Sequence, residues 1–117
     1  MTREEAERML TEAGKTGDAG FPLFDAAVAC AIHDFPEREV NGAVELMEEG
    51  VGHLGDQLNR VSAEEALAET LSGHLRLTGD LLTYDSLDNA DILSVCTRRR
   101  GLPVALGVIY LHVARQC

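Results

Sequence analysis

The chain has 117 residues, of which 45% are hydrophobic and 26% charged, a composition typical of one soluble globular domain and too short for two. The apolar content and the ordinary glycine and proline counts exclude the disordered, collagen-like and low-complexity classes. The net charge of −10 repels phosphate backbones and anionic membrane surfaces, so we expect no nucleic-acid or membrane partner.

No run of about 18 apolar residues occurs, so no membrane-spanning helix is expected. The first residues, Met-Thr-Arg-Glu-Glu, lack the basic and apolar regions of a signal peptide, which indicates a cytoplasmic protein. Three cysteines, Cys30, Cys96 and Cys117, are odd in number and widely spaced. That pattern is typical of reduced thiols rather than of a disulfide framework.

The charge is distributed unevenly along the chain. All 20 acidic residues lie at or before Asp91 together with six basic ones, so this part carries −14. Four arginines follow with no acidic residue, which gives the C-terminal quarter a charge of +4. We expect this basic and apolar quarter to dock against the acidic remainder or against another chain.

Helix signals begin at the N-terminus. Thr2-Arg3-Glu4-Glu5 has the spacing of a capping box and predicts a short helix that ends at Gly14. After a loop, Pro22 suits the first turn of a second helix, which is broken at Phe35-Pro36.

A third and longer helix is predicted from about Glu37 to Leu58, because its apolar residues recur at three- and four-residue steps. Gly50 and Gly52 each weaken such a helix by roughly 1 kcal/mol relative to alanine and favour a kink there. A second capping box, Ser62 to Glu65, opens a fourth helix that ends near Gly79.

The C-terminal elements are predicted as a loop over Asp80–Asn89, a short helix over Ala90–Arg99 and a last helix that begins at Pro103. No segment shows sustained alternation of apolar and polar residues. The predicted fold class is therefore all-α, a compact bundle of about five or six helices. We divide it into an N-terminal capped helix and loop over residues 1–20 and a helical domain over residues 21–117.

The C-terminal part carries a motif. Tyr84-Asp85 is followed, after three residues, by Asn89, a short helix, the segment Arg98–Pro103 and a helix that ends in Ala114-Arg115. This pattern resembles that of the bacterial transglutaminase-like proteins of the SirB type, which often carry tetratricopeptide repeats after a transglutaminase-like core. The resemblance covers about Phe21 to Cys117.

Two departures from the family pattern bear on function. The family's loop has a proline and a basic residue where this chain has Leu87 and Asp88. In catalytic members the helix after Gly-x begins with a cysteine, which gains thiolate character from the helix N-terminus. Here that position is Pro103, which has no nucleophilic atom. The histidine and acid of a catalytic triad would follow on later strands, and the chain ends at Cys117 before them.

The resemblance therefore implies a non-catalytic N-terminal helical part of a larger protein, with a structural, regulatory or protein-interaction role. One alternative is a truncated cysteine-protease-like hydrolase or transferase whose other parts supply the site. The second alternative is an anion-binding module, in which arginines and a helix N-terminus hold a phosphate or carboxylate. The residues of this anion site would be Arg98, Arg99, Arg100 and Gly101. The competing interpretation pairs these arginines with the chain's own carboxylates, such as Asp85, Asp88 or Asp91.

Other chemistry-bearing residues indicate no site. Cys30 and His33 lie three residues apart, but a zinc site needs three or four ligands, and no second paired spacing supplies them. Cys96 lies near arginines that would lower its pKa, yet no histidine is close in sequence. His112 is expected to be a packed, hydrogen-bonded residue of the last helix rather than a base. We expect no metal and no cofactor.

The last helix is apolar almost all round, as is typical of a helix that is buried centrally. Its large aliphatic residues are Val104, Leu106, Val108, Ile109, Leu111 and Val113. We expect a single chain to leave part of this apolar surface exposed, and self-association, a protein partner or further sequence to cover it. A homo-oligomer is the expected state.

Overall fold

The computed structural model describes residues 1–79 and 90–117. Its elements in chain order are α1 (Arg3–Gly14), a 3₁₀ turn (Asp18–Gly20), α2 (Leu23–Asp34), α3 (Asn41–Gln57), α4 (Ala63–Ala68), a π-helical segment (Glu69–His74), β1 (Thr78–Gly79), α5 (Ile92–Arg98), β2 (Arg100–Gly101) and α6 (Pro103–Arg115). The all-α prediction is confirmed, since the two strands found in these described residues are only two residues long. The loop predicted over 80–89 lies outside the described residues.

Local signals set where the helices start. The Thr2 hydroxyl accepts a hydrogen bond from the Glu5 amide, and the Glu5 carboxylate accepts one from the Thr2 amide, both at 3.1 Å. These two bonds lower the pKa of the Glu5 carboxyl group. Ser62 likewise caps α4 by accepting from the Glu65 amide at 3.2 Å, and Pro103 occupies the first turn of α6. The predicted starts of α1, α4 and α6 are therefore confirmed.

The ends of two helices differ from the prediction. Phe35 precedes a proline and is not helical. The Arg38 amide donates to the Phe35 carbonyl at 3.2 Å and closes a turn, so α3 begins at Asn41 and not at Glu37. The helix after Ser62 changes to π geometry at Glu69 and stops at His74. It stops before Gly79 because Arg76 adopts a left-handed conformation with φ of 56°.

The core lies where α2, α3, α5 and α6 meet, and α1 packs against the outside of α2. Each of these four helices contributes at least one nearly inaccessible side chain. The largest fully buried aliphatic side chains are those of Ile32, Leu75, Val95, Ile109 and Val113. Burying a large aliphatic side chain stabilises a fold by about 1.5–3 kcal/mol, so this cluster is the main source of stability.

Gly50 and Gly52 of α3 have different roles, although the sequence pattern does not distinguish them. Gly50 is buried, and a Cβ atom there would lie 3.0 Å from Leu75 Cδ1 and 3.2 Å from Val113 Cγ2. Gly52 faces open space, with no heavy atom within 4 Å of such a Cβ. Gly50 therefore permits the close approach of α3 to α6, and α3 is a single helix through both positions.

We predict that Gly50→Val lowers the free energy of unfolding by about 1–3 kcal/mol, because its methyl groups overpack the contact with Leu75 and Val113. The matched control, Gly52→Val, should change stability by less than about 0.5 kcal/mol. Urea unfolding followed by circular dichroism measures both. Equal losses at the two positions would contradict the close-packing role of Gly50.

Candidate functional site

An ion pair between Arg38 and Asp91 holds the start of α5. Asp91 caps this helix, since its Oδ1 accepts from the amides of Leu93 and Ser94, each at 3.1 Å. Its Oδ2 pairs with Nη2 of Arg38. The same guanidinium donates to the Ala31 carbonyl and to Ser94 Oγ, both at 3.3 Å. Both side chains are largely shielded, 26% and 16% exposed, so solvent screens the pair less than it screens a surface pair.

The connection from α5 to α6 is built around Arg99. This residue adopts a left-handed conformation, with φ of 60°, that ends α5. Its Nη1 donates to the Leu75 carbonyl at 3.1 Å, and its own carbonyl accepts from the Thr78 amide at 3.0 Å. β1 and β2 then pair in parallel, with Thr78 opposite Arg100 and Gly79 opposite Gly101. The connection is thereby tied to the chain that follows the π-helical segment.

The arginine motif is thus dispersed over three structural positions. Arg98 is the last residue of α5 and is partly buried, whereas Arg99 binds a backbone carbonyl and Arg100 is exposed. Gly101 is buried within the strand pair. Asp91 pairs with Arg38, a residue that the sequence analysis did not single out. Asp85 and Asp88 lie outside the described residues, so anion binding at this motif stays a prediction.

One side of α6 is exposed and apolar. Ala105, Leu106, Ile109 and Val113 are buried against the core, whereas Val104 is 71% and Leu111 47% exposed. Val108 lies between these two on the same side and is partly buried. We call Val104, Val108 and Leu111 the α6 stripe.

The α6 stripe carries no charge of its own. The first charged residue along α6 is Arg115, and Arg100 precedes the helix. None of the helices in residues 1–79 and 90–117, α6 included, is long and apolar enough to cross a membrane.

The sequence model of the transglutaminase-like superfamily matches residues 38–117, more than half of the chain. The chain belongs to the transglutaminase-like superfamily. The match begins at Arg38 and includes its pair Asp91, the α5–α6 connection and the α6 stripe. Neither the curated proteins nor the solved structures gave a match.

In this transglutaminase-like chain, Pro103 occupies the position that the resemblance assigns to the nucleophile. It is exposed at the first turn of α6, and its ring offers neither a thiol nor a hydroxyl. His112 lies near the other end of the helix, where its ring contacts Phe24 with the centroids 4.7 Å apart. The described part of α6 therefore brings no nucleophile and base together.

Cys96, the nearest thiol in sequence, is buried in the core and is unsuited to nucleophilic attack. Burial raises its pKa to about 12, because the low-dielectric core disfavours the thiolate. The expectation that nearby arginines would lower this pKa was wrong. Desolvation outweighs their charge, and the Arg99 guanidinium is engaged by the Leu75 carbonyl.

The predicted proximity of Cys30 and His33 gives no shared site in the structure. Cys30 is exposed, whereas His33 Nε2 lies 3.0 Å from Glu7 Oε1 on α1. Within the described ranges, no group of three or more histidine, cysteine, aspartate or glutamate side chains could hold a metal ion.

A histidine pair between α3 and the π-helical segment was missed by the sequence analysis. The rings of His53 and His74 stack with centroids 4.1 Å apart. His53 Nδ1 lies 2.8 Å from the Thr70 hydroxyl, and His74 Nε2 lies 3.0 Å from Glu49 Oε1. Thr70 is fully buried, so its hydroxyl cannot reach a substrate and serves to fix His53.

We predict that Asp91→Ala lowers the free energy of unfolding by about 2–4 kcal/mol, since it removes the α5 cap and leaves Arg38 without its counter-charge. The matched control is Asp56→Ala, which breaks an exposed pair with Arg60 at 3.5 Å and should cost less than about 0.5 kcal/mol. Chemical denaturation of both variants is the measurement. Similar decreases in the free energy of unfolding of the two variants would show that the pair of Arg38 and Asp91 stabilises the fold no more than an exposed pair does.

We also predict that a thiol reagent at neutral pH modifies Cys30 and Cys117 but leaves Cys96 unmodified until denaturant is added. Peptide mass spectrometry of the alkylated protein identifies the sites. Rapid modification of Cys96 in the folded protein would contradict its burial.

The same thiol makes stability depend on alkaline pH. The pKa of the Cys96 thiol is raised from 9.0 to about 12 in the folded state, so the unfolded chain loses this proton at a lower pH than the folded chain does. The free energy of unfolding is therefore unaffected by this group below pH 9.0 and decreases as the pH rises from 9.0 toward 12.

Proposed function

We propose that this chain is a non-catalytic helical domain of a SirB-type transglutaminase-like protein, and that it acts through protein–protein contacts made by α6. The SirB-type assignment is supported by the motif from Arg98 to Pro103 and by the Ala114-Arg115 end of the helix. Tetratricopeptide repeats elsewhere in the protein would accompany this type.

The observation that supports a non-catalytic role is the residue at the start of α6. A cysteine there would gain thiolate character from the helix dipole, but Pro103 supplies no reacting atom. Cys96 does not replace it, because it is buried and neutral at physiological pH. The hydroxyl group that contacts the stacked histidine pair is that of Thr70, which is fully buried and therefore inaccessible to a substrate.

The observation that supports an interaction role is the exposure of the α6 stripe. In a chain with 26% charged residues, the exposed side of α6 carries no charged residue between Arg100 and Arg115. Contiguous exposed apolar surface of this kind marks interaction sites in soluble proteins. Covering Val104 and Leu111 in an interface would recover about 25 cal/mol for each Å² of apolar surface buried. We infer self-association through this stripe, giving a homo-oligomer.

The anion-binding alternative has less support. Arg99 donates to the Leu75 carbonyl, and the three arginines lie on a helix end, a turn and a strand. A shared ligand would therefore need to displace a contact that braces the α5–α6 connection.

The test of the proposed function is light scattering coupled to size-exclusion chromatography over a concentration series. We expect the wild-type chain to form an oligomer and Leu111→Glu to shift it toward monomer, because a buried carboxylate in the interface is costly. The matched control is Val61→Glu, which replaces an exposed aliphatic residue away from α6 and should leave the mass unchanged. A wild-type chain that stays monomeric at all concentrations, or an equal effect of Val61→Glu, would overturn the proposal.

A further inference from the structure

A second apolar surface lies beside α6. The α2–α3 groove, of about 500 Å³, has a floor of apolar side chains and ends at His112 and Gln116 of α6. Phe24 and Met47 in the floor are nearly buried, whereas Val44 at the edge is 44% exposed. Two further lining residues, Asp25 and Glu48, are acidic and exposed.

The α6 stripe and the α2–α3 groove are both apolar, and the charged residues at their edges are opposite in sign. The stripe projects aliphatic side chains from a helix, and the groove offers apolar floor between two helices. Arg115 lies one helical turn beyond Leu111, at the C-terminal end of the stripe. Glu48 lines the groove and carries the opposite charge to Arg115 at the end of the stripe, so contact between the stripe and the groove would bring opposite charges together. Asp25 already shares a small pocket with Arg115 of its own chain.

Pairing of two stripes with each other lacks this complementarity. An antiparallel two-fold arrangement that sets Val104 against Leu111 of the second copy would also set Arg115 against its Arg100. Both arginines are exposed, so this arrangement brings like charges together at each end.

We propose that the α6 stripe of one copy docks into the α2–α3 groove of a second copy, with Arg115 facing Glu48. This inference rests on the proposed function and specifies its interface. Leu111 and Val104 would supply the aliphatic side chains that contact Val44 and the groove floor.

The position of the two surfaces favours a closed dimer. Both include the C-terminal half of α6, since His112 lines the groove and Leu111 lies in the stripe. A two-fold axis near this end of α6 would let each copy contribute one stripe and one groove, so that the same contact forms twice. A reciprocal contact of this kind closes at two copies instead of extending into a filament.

The test exchanges charges across the proposed contact. Glu48→Arg and Arg115→Glu are each expected to raise the dimer dissociation constant about tenfold, since each variant alone opposes like charges. An equimolar mixture of the two should dimerise with nearly wild-type affinity, because both contacts in the mixed dimer again pair opposite charges. Light scattering across a dilution series gives the constants, and circular dichroism checks the fold.

Two control variants carry the same charge changes elsewhere. Glu39→Arg precedes α3 and Arg8→Glu lies on α1, and both positions are exposed and outside the groove and stripe. Neither should change the dissociation constant by more than about twofold. If a reversed charge disturbs folding, Glu48→Gln and Arg115→Gln are used as the test variants instead, and each should still raise the dimer dissociation constant.

The outcomes separate the two proposals. A monomeric wild-type chain overturns the self-association on which the inference rests. A wild-type dimer that Leu111→Glu disrupts but Glu48→Arg leaves intact retains the role of α6 and overturns the groove as its partner. Failure of the mixture to recover dimerisation also overturns the groove. If the wild-type chain binds zwitterionic lipid vesicles and Leu111→Glu abolishes this binding, a membrane surface and not the groove is the partner of the α6 stripe.

Discussion

The contact on which the rest of the site depends is the one between Arg38 and Asp91. Arg38 lies in the turn between α2 and α3, and its guanidinium reaches a carbonyl of α2 and the cap of α5 together. A single planar group with several donors can satisfy all of these acceptors at once, which a lysine could not do. The pair thereby fixes α5 against α2 and α3, and the orientation of α5 determines where the following connection leaves the core.

From there the geometry of α6 follows in steps. Arg99 reverses the chain in a left-handed conformation, and its hydrogen bonds with Leu75 and Thr78 hold the reversal in place. Pro103 then starts the helix without needing its missing amide hydrogen. Because Gly50 has no side chain, Val113 packs closely against α3, and this side of α6 is buried in the core. The apolar residues left on the opposite side form the stripe, which explains why a helix that is apolar almost all round is only half buried.

The features that could be predicted from the sequence are those encoded locally. Thr2 and Ser62 cap their helices with residues three positions away, and the proline at the start of α6 needs no distant partner. Arg38 and Asp91 are 53 residues apart, and no local sequence signal predicts the π geometry of Glu69–His74, the segment whose His74 stacks on His53. The wrong pKa direction for Cys96 has the same origin: nearby arginines are visible in sequence, whereas burial is a property of the assembled core.

Electrostatics sets the conditions under which such an acidic chain could associate with itself. Two copies carry −10 each and repel at long range, but the chain measures 43 × 35 × 23 Å, and at physiological salt charges are screened over about 8 Å. Most of the net repulsion between two copies is therefore screened, whereas groups in direct contact across an interface are screened much less. An interface that joins Arg115 to carboxylates uses the basic C-terminal quarter against the acidic remainder. Moderate salt would accordingly favour the dimer over very low salt, because it weakens the repulsion between the two bodies more than the attraction at their contact.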